Sequence, residues 1–411
     1  MKYMMWSPTA VGATPQEREQ LRPIGRNADR YHALVEELEG LAVLADDHGF
    51  DAFGTTEHHF ASEGGESMPN GLLLYAKLAA RTKRLMFVPI SIVLPAHDPI
   101  RVAEDIALFD QMYPGRIGVA FARGYSPRWM PTLMGQDNAM ATPMDPASDN
   151  LNREIFDEYL EVVLKAWTED SLRFEGKHYQ VPRPLSGESG WPQTQWTGTY
   201  GAPGELDADG RITSISVVPK PLTQPHPPLF VPLTMSRRTL VDAAHRGTTV
   251  LVYDGRPDVF RQAAADYREE AAKAGRPLRL GEGVGAARKI VLGDTFEEAM
   301  DLAVRTVGFW YNRYFSHFGF GEVNRTEGDD PNKMIMFSSD RDCAERMYKT
   351  GQLLCGTTDD VTRQLEALHS CHADGELDWL AWEFQTQGTC TMDEHKRQLD
   401  LFADKVMPRF A

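Results

Sequence analysis

A parallel (β/α)8 barrel is the fold this sequence predicts, on three observations. Short β-branched and apolar runs alternate with amphipathic helical runs along nearly the whole chain, which is how β/α units read in sequence. Eight strand-like runs can be marked in this way. A doubly wound sheet usually carries a glycine-rich phosphate fingerprint in its first βα turn, and this chain has none there.

Lys2–Ser7 reads as the first strand. Tyr31–His48 is helical, with Leu34, Leu38, Leu41, Leu44 and Ala45 at helical spacing and Gly49 at the C-terminal cap position. Asp51–Thr56 is the second strand and Asn70–Thr82 the second helix. Leu85–Leu94 is a buried third strand. A helix starts at Asp98, runs to Met112 and is stopped by Pro114-Gly115, and Arg116–Ala122 is the fourth strand. Alternation resumes with strand Pro228–Leu233, helix Arg237–Arg246, strand Thr248–Tyr253 and helix Asp258–Ala274. Strand Ala287–Leu292, helix Phe296–Phe315, helix Thr358–Ala373, strand Leu377–Phe384 and helix Met392–Val406 complete it.

Three segments stand outside this pattern: the polar loop Thr9–Asp29, the Gly/Pro/Trp-rich Ser171–Pro227, which suggests hairpins, and the charged Gly319–Lys349. Loops this long in a compact fold are usually lids, binding loops or subunit contacts. A barrel of about 250 residues can grow past 400 with insertions, so the 411 residues fit one domain, 1–411.

Composition narrows the function. Apolar residues make up 42% and charged residues 25%, the profile of a globular protein. The net charge is -16, and without a Lys/Arg-rich run nucleic-acid binding is not expected. The four cysteines, Cys343, Cys355, Cys371 and Cys390, show no CxxC pairing. A reducing cytoplasm fits them better than a disulfide framework or a zinc site. The apolar run Met4–Trp6 is too short for a signal peptide. No stretch is long enough to span a bilayer, so no membrane partner is expected.

Barrel chemistry sits at the C-terminal ends of the strands. The second strand runs into Glu57-His58-His59, the fourth into Arg123-Gly124-Tyr125, and the fifth towards Ser236, with Thr239 one turn on. Each has a plain alternative. A lone histidine at a strand end is more often structural than a base. Two neighbours on a strand point to opposite faces and cannot share one metal, so no metal site is expected. Arg123 could be an ion-pair partner. Gly124 removes a side chain where a ligand could approach the backbone. Ser236 and Thr239 could cap the next helix, a position that also suits phosphate.

Gly281–Ala286 spells GEGVGA, the GxGxxA form of the dinucleotide fingerprint. The stretch directly after it, Lys289–Leu292, is strand-like, so no helix N-terminus would face a pyrophosphate, and Rossmann-type NAD(P)H binding is not expected. The aromatic stretch Gly308–Gly321 reads as half core and half pocket wall, as do Trp191 and Trp196.

Thr56–Phe60 (TEHHF), Ile92–Pro99 (IVLPAHDP), Arg101–Tyr125 (RVAEDIALFDQMYPGRIGVAFARGY), Val218–Leu229 and the C-terminal DLFADKVMP occur in this order. Together they resemble the bacterial luciferase-like flavin monooxygenase family. The resemblance implies a TIM barrel with insertions that binds reduced FMN as a dissociable cosubstrate, or F420 in some branches. It implies a separate NAD(P)H:flavin reductase, O2 as co-reactant, a C4a-peroxyflavin and a small organic substrate. A homodimer is expected as well.

Carried over by position, His58 matches the family's catalytic histidine beside the flavin, where a neutral imidazole can move a proton near pH 7. Arg123 and Arg153 match the arginines on the flavin phosphate, where a guanidinium can bond bidentately. Tyr125 matches a backbone amide donor to that phosphate, and Ser236 and Thr239 match its hydroxyl ligands. Ile90–Ser91 matches a non-prolyl cis peptide under the flavin ring. Ala122 replaces luciferase's reactive cysteine, Met235 replaces a glutamate, and the stretch between Arg123 and Arg153 is longer. These departures imply a non-luminescent oxygenase, of Baeyer–Villiger or hydroxylating kind. The competing readings are an F420-dependent hydride-transfer enzyme and a non-catalytic flavin-binding protein.

Overall fold

The fold is that of a computed structural model. It describes residues 1–135, 139–142, 145–183, 190–234, 236–370, 377–384 and 390–410. Met235, Cys371 and the end of the helix expected over Thr358–Ala373 lie outside the described residues.

Eleven strands are present among them. They are β1 (Lys2–Ser7), β2 (Ala52–Thr55), β3 (Met86–Val93), β4 (Val119–Ala122), β5 (Phe174–Glu175), β6 (Gln180–Val181), β7 (Leu229–Leu233), β8 (Thr249–Val252), β9 (Val284–Leu292), β10 (Leu353–Gly356) and β11 (Trp379–Glu383). The order β9-β11-β1-β2-β3-β4-β7-β8 closes on itself through the β8–β9 pair. All registered pairs of this ring are parallel. The fold is therefore a closed eight-stranded parallel barrel with helices, and its strands fall on the eight runs marked in the sequence. β10 pairs with the C-terminal half of β9, Lys289–Leu292; it lies outside the expected alternation.

Contacts divide the chain into two compact units, Met1–Ser91 with Gly118–Ala120 and Pro228–Ala411, and Ile92–Ile117 with Phe121–Pro227. The first holds the paired residues of the ring. Its interior follows from the strand period of two: Met4 and Trp6, Val88 and Ile90, and Trp379 and Ala381 all point inward. Ala52, Ala120 and Ala287 lie among them, so small side chains make room for two tryptophans and for Phe230. Outside the ring, Trp310, Tyr311 and Phe315 are core residues packed with Met300, Met347 and Cys355. The expected helix Phe296–Phe315 is broken: an α-helix covers Phe296–Ala303, a π-helical turn Val304–Gly308 and a short α-helix Phe309–Arg313. A Cβ on Gly308 would meet the Asp340 carbonyl oxygen at 2.2 Å, so the chain here packs backbone against backbone.

Thr9–Asp29 is folded rather than an open loop. Thr14 and Glu17 form a capping box that starts helix Pro15–Gln20, and Ile24–Arg26 makes a 3-10 turn. Gly319–Lys349 likewise contains helix Asp340–Lys349, capped by Ser339.

The second unit is built on helices Pro99–Met112 and Pro146–Thr168. Trp167 donates its Nε1–H to the Ala103 carbonyl at 3.0 Å across them. The 23-residue helix Pro146–Thr168 was not among the expected elements. The expected hairpins reduce to β5–β6 and two isolated bridges, Leu172–Ile215 and Leu206–Ile212. Trp196 is 66% exposed and Trp191 38%, so neither walls a buried pocket.

Candidate functional site

In the barrel unit, β2 ends at Thr55, anchored by the Tyr75 hydroxyl, which accepts from the Thr55 backbone N–H at 2.7 Å. Glu57, His58 and His59 therefore lie in a loop, and strand alternation does not set the directions of the two histidines. Their partners do. The His59 Nε2 lies 2.9 Å from Glu57 Oε1, and the His58 Nε2 lies 3.2 Å from Glu66 Oε2. The His58 side chain is 13% exposed and that of Glu66 4%.

The loop carrying these groups is laced down by backbone hydrogen bonds. His58 donates to Met68 at 3.0 Å, Ser67 to Thr9 at 2.7 Å, Val11 to Gly64 at 2.7 Å and Gly25 to Ser62 at 2.9 Å. Arg18 adds bonds to the Glu63 carbonyl at 3.0 Å and the Val11 carbonyl at 2.6 Å, and its guanidinium lies 4.9 Å above the Trp310 ring. The segment after β1 is thus a clamp on the His58 loop. A cleft of about 420 Å³ opens beside it, lined by Tyr31, His58, His59, Phe60 and Pro69 together with Arg26.

Burial pushes the His58 imidazole down to about 4, against the opposing pull of the Glu57 carboxylate. The ring is therefore neutral near pH 7, with one nitrogen able to donate and one to accept.

A second set of polar groups is buried in the same unit. Lys289, on β9, places its Nζ 2.7 Å from Glu383 Oε2 and 2.7 Å from Gln352 Oε1. The Tyr311 hydroxyl donates to Glu383 Oε1 at 2.8 Å. Burial lowers the Lys289 ammonium, and burial with the Glu383 charge raises the Tyr311 phenol. The Lys289 ammonium also sits 4.2 Å from the Tyr311 ring centroid. Sequence reasoning missed Glu66, Lys289 and Glu383. A Lys and a Glu inside apolar strand runs were the available signal for the last two.

The remaining residues are placed unit by unit. The Ile90–Ser91 bond is cis, as expected. Ser236 accepts from the Thr239 backbone N–H at 3.3 Å and caps helix Arg237–Arg246, which realises the capping role foreseen for that pair. In the second unit, Arg123 pairs with Asp149 at 2.9 Å, and its carbonyl accepts from the Asn152 amide at 2.8 Å. Asp149, Asn152 and Arg153 share the first turns of helix Pro146–Thr168. Asp149, the partner of Arg123, stands one turn before Arg153 on that helix, and Tyr125 lies on the half-buried loop after β4. Gly124 has φ +77°, and a Cβ there would meet Met130 Sδ at 2.3 Å and Val93 Cγ1 at 2.5 Å. Packing and the left-handed backbone each require a glycine here.

Several polar atoms are buried without a hydrogen-bond partner among the described residues. Trp6 Nε1, Thr9 Oγ1 and Thr56 Oγ1 belong to the barrel unit and Asn152 Oδ1 to the second.

Comparison with known proteins identifies the family. The family model for luciferase-like monooxygenases matches residues 1–375. The 3,6-diketocamphane 1,6-monooxygenase of Pseudomonas putida is 31% identical over 153 residues, 36% of this chain. That stretch spans 40% of the relative's own length. Among solved structures, monooxygenase RslO1 from Streptomyces bottropensis superposes with TM-score 0.70 at 21% identity, covering all of both chains. The oxygenating constituent of the P. putida 3,6-diketocamphane monooxygenase, a type II Baeyer–Villiger enzyme in complex with FMN, gives 0.67 at 22% identity over 98% of each chain. An F420-dependent secondary alcohol dehydrogenase gives 0.60 at 13% identity, over 99% of this chain and 98% of its own. At these identities the structural matches speak for the fold. With the family model covering most of its length, the chain belongs to the luciferase-like monooxygenases.

Proposed function

We propose that the protein is the oxygenase of a two-component system, using reduced FMN from a separate NAD(P)H:flavin reductase and O2 to oxygenate a small organic substrate. The observation that carries this reading is His58, a buried, neutral histidine held by a carboxylate at the end of β2 in a luciferase-like barrel. The bound reduced flavin would supply electrons and the means to activate O2.

This chain's residues would supply the rest. His58 holds or moves a proton at an imidazole nitrogen. Arg123 and Arg153 in the second unit, and Ser236 and Thr239 in the barrel unit, are the proposed phosphate-binding residues, with the Tyr125 backbone amide beside Arg123. Ile90 and Ser91 are proposed to lie against the flavin ring. The cleft beside His58, with Tyr31, Phe60 and Pro69 in its lining, would admit a substrate that is largely apolar. Leu108 and Met112, 50% and 51% exposed and one turn apart on helix Pro99–Met112, would pair in a homodimer. A cytoplasmic location suits a chain whose described cysteines are free.

An F420-dependent hydride transfer is the second reading, favoured by the shared barrel of the F420-dependent alcohol dehydrogenase. Equilibrium titration with FMN, reduced FMN and F420, followed by O2 uptake with a panel of ketones and aldehydes, tests both. Tight reduced-FMN binding with O2 consumed in proportion to product supports the oxygenase. F420 reduction without O2 uptake overturns it, and flavin binding without turnover of any substrate marks a non-catalytic flavin protein.

A further inference from the structure

We propose that Glu66 is a positioning residue for His58. Its carboxylate accepts the Nε2–H of the neutral imidazole, so the ring proton sits on Nε2 and Nδ1 keeps the lone pair. This rests on the reading of His58 as the proton-transfer group.

Four observations carry it. The His58 Nε2 and Glu66 Oε2 are 3.2 Å apart, and the Glu66 side chain is 4% exposed. A buried carboxylate is costly unless it is paired, and this imidazole is a partner in reach. Glu66 has φ +45°, a conformation that non-glycine residues avoid and that persists only where the surroundings impose it. The surroundings do so here: Ser67, next in the chain, is tied to Thr9, and Gly64 to Val11. Gly65 lies flat on Trp310, where an added Cβ would meet the ring at 2.8 Å. The loop is thus shaped around delivery of one carboxylate to one histidine nitrogen.

Of the charges on its own loop, Glu57 favours protonation of His58 and His59 opposes it. The groups facing His58 are Glu57 and His59 on its own loop, Glu66, and Arg26 and Tyr31 around the cleft. The Tyr311 phenol is raised in part by Glu66, so the buried Tyr311–Glu383–Lys289 set lies within electrostatic reach of Glu66. A carboxylate that fixes a histidine's tautomer also steadies the imidazolium that forms when the other nitrogen takes a proton.

A purely structural tie between the loops would not choose a tautomer, so the tautomer is the test. The cofactor-free protein is labelled with 15N-histidine, and the His58 resonances are assigned by their loss in His58→Gln. The wild type is expected to show a neutral ring protonated on Nε2. Glu66→Leu, which offers no acceptor, and Glu66→Gln, whose amide can donate or accept, should both mix the tautomers. Glu66→Asn favours the left-handed backbone and serves if those variants fold poorly. In turnover, Glu66→Gln should lower kcat about ten- to a hundredfold while KM changes less than about threefold.

A wild-type ring protonated on Nδ1 overturns the proposal, and so does a tautomer unchanged in Glu66→Leu. The wild-type spectrum alone can overturn the proposal, and an Nε2–H ring supports it only together with a tautomer shift in Glu66→Leu. The spectrum is also independent of flavin: an Nε2–H ring in a protein that proves not to use flavin leaves the positioning intact and removes only the functional reading.

Discussion

Lys289 Nζ and Glu383 Oε2 meet at 2.7 Å with side chains 1% and 3% exposed. Removing one member of a buried pair strands the other, at a cost of about 3–5 kcal/mol, whereas replacing both with apolar groups is often neutral. Lys289→Met should therefore lower unfolding stability by about that amount, and Lys289→Met/Glu383→Leu should recover much of it. Urea unfolding of the two variants checks this. A single variant as stable as wild type would show that the Tyr311 hydroxyl alone satisfies Glu383.

His58 makes stability depend on pH. Its folded-state value, about 4, lies below the ordinary 6.5 because of burial. The unfolded chain therefore binds a proton that the folded chain resists. This contribution is fully present above pH 6.5 and is lost as pH falls from there to about 4. It amounts to on the order of 3 kcal/mol. The difference in urea midpoint between pH 7 and pH 4.5 should shrink in His58→Gln. The acid limb of kcat/KM should likewise fall nearer pH 4 than 6.5 if His58 must be neutral in the free enzyme.

The Arg123–Asp149 pair makes a third prediction. Hydrogen bonds to charged groups contribute about 1.5–3 kcal/mol, so Arg123→Ala should weaken FMN binding about tenfold or more. Asp149→Asn keeps the shape but removes a negative charge 2.9 Å from the guanidinium, and FMN should then bind at least as tightly. Fluorescence titration of both variants measures this. Unchanged affinity in a folded Arg123→Ala protein would leave the arginine as an ion-pair residue only.

The barrel strands were legible because each is a short apolar run between turn residues, and a parallel ring buries such runs on both faces. Helix Pro146–Thr168 was overlooked despite a start signal: Asp145 as N-cap with Pro146 after it. The Thr14–Glu17 capping box was also in plain view. β10 hides in four residues after a charged helix. Glu66 is different in kind. Its local sequence, EGGES, reads as any turn, and its meaning comes from Thr9, Val11 and Trp310, which reach it only in three dimensions. Arg123 and Asp149 are likewise 26 residues apart, and only the unforeseen helix makes them neighbours.

The last prediction separates the two histidines. His58 is the buried ring at the carboxylate of Glu66, while His59 turns back to Glu57, on its own loop, at 2.9 Å. If His58 moves a proton in the oxygenation, its loss should cost about 10²–10⁴-fold in product formation. His58→Asn should still bind reduced flavin, because the proposed phosphate-binding residues are elsewhere. Electrons delivered by a coupled reductase would then leave as hydrogen peroxide, and NAD(P)H consumption would continue without product. His59→Asn should keep its coupling, or lose activity together with stability as the Glu57 carboxylate is left buried, 7% exposed, without its imidazole. Product, peroxide and thermal midpoint are measured side by side for both variants. Full product yield from His58→Asn, or uncoupling confined to His59→Asn at unchanged midpoint, would move the proton-transfer role away from His58.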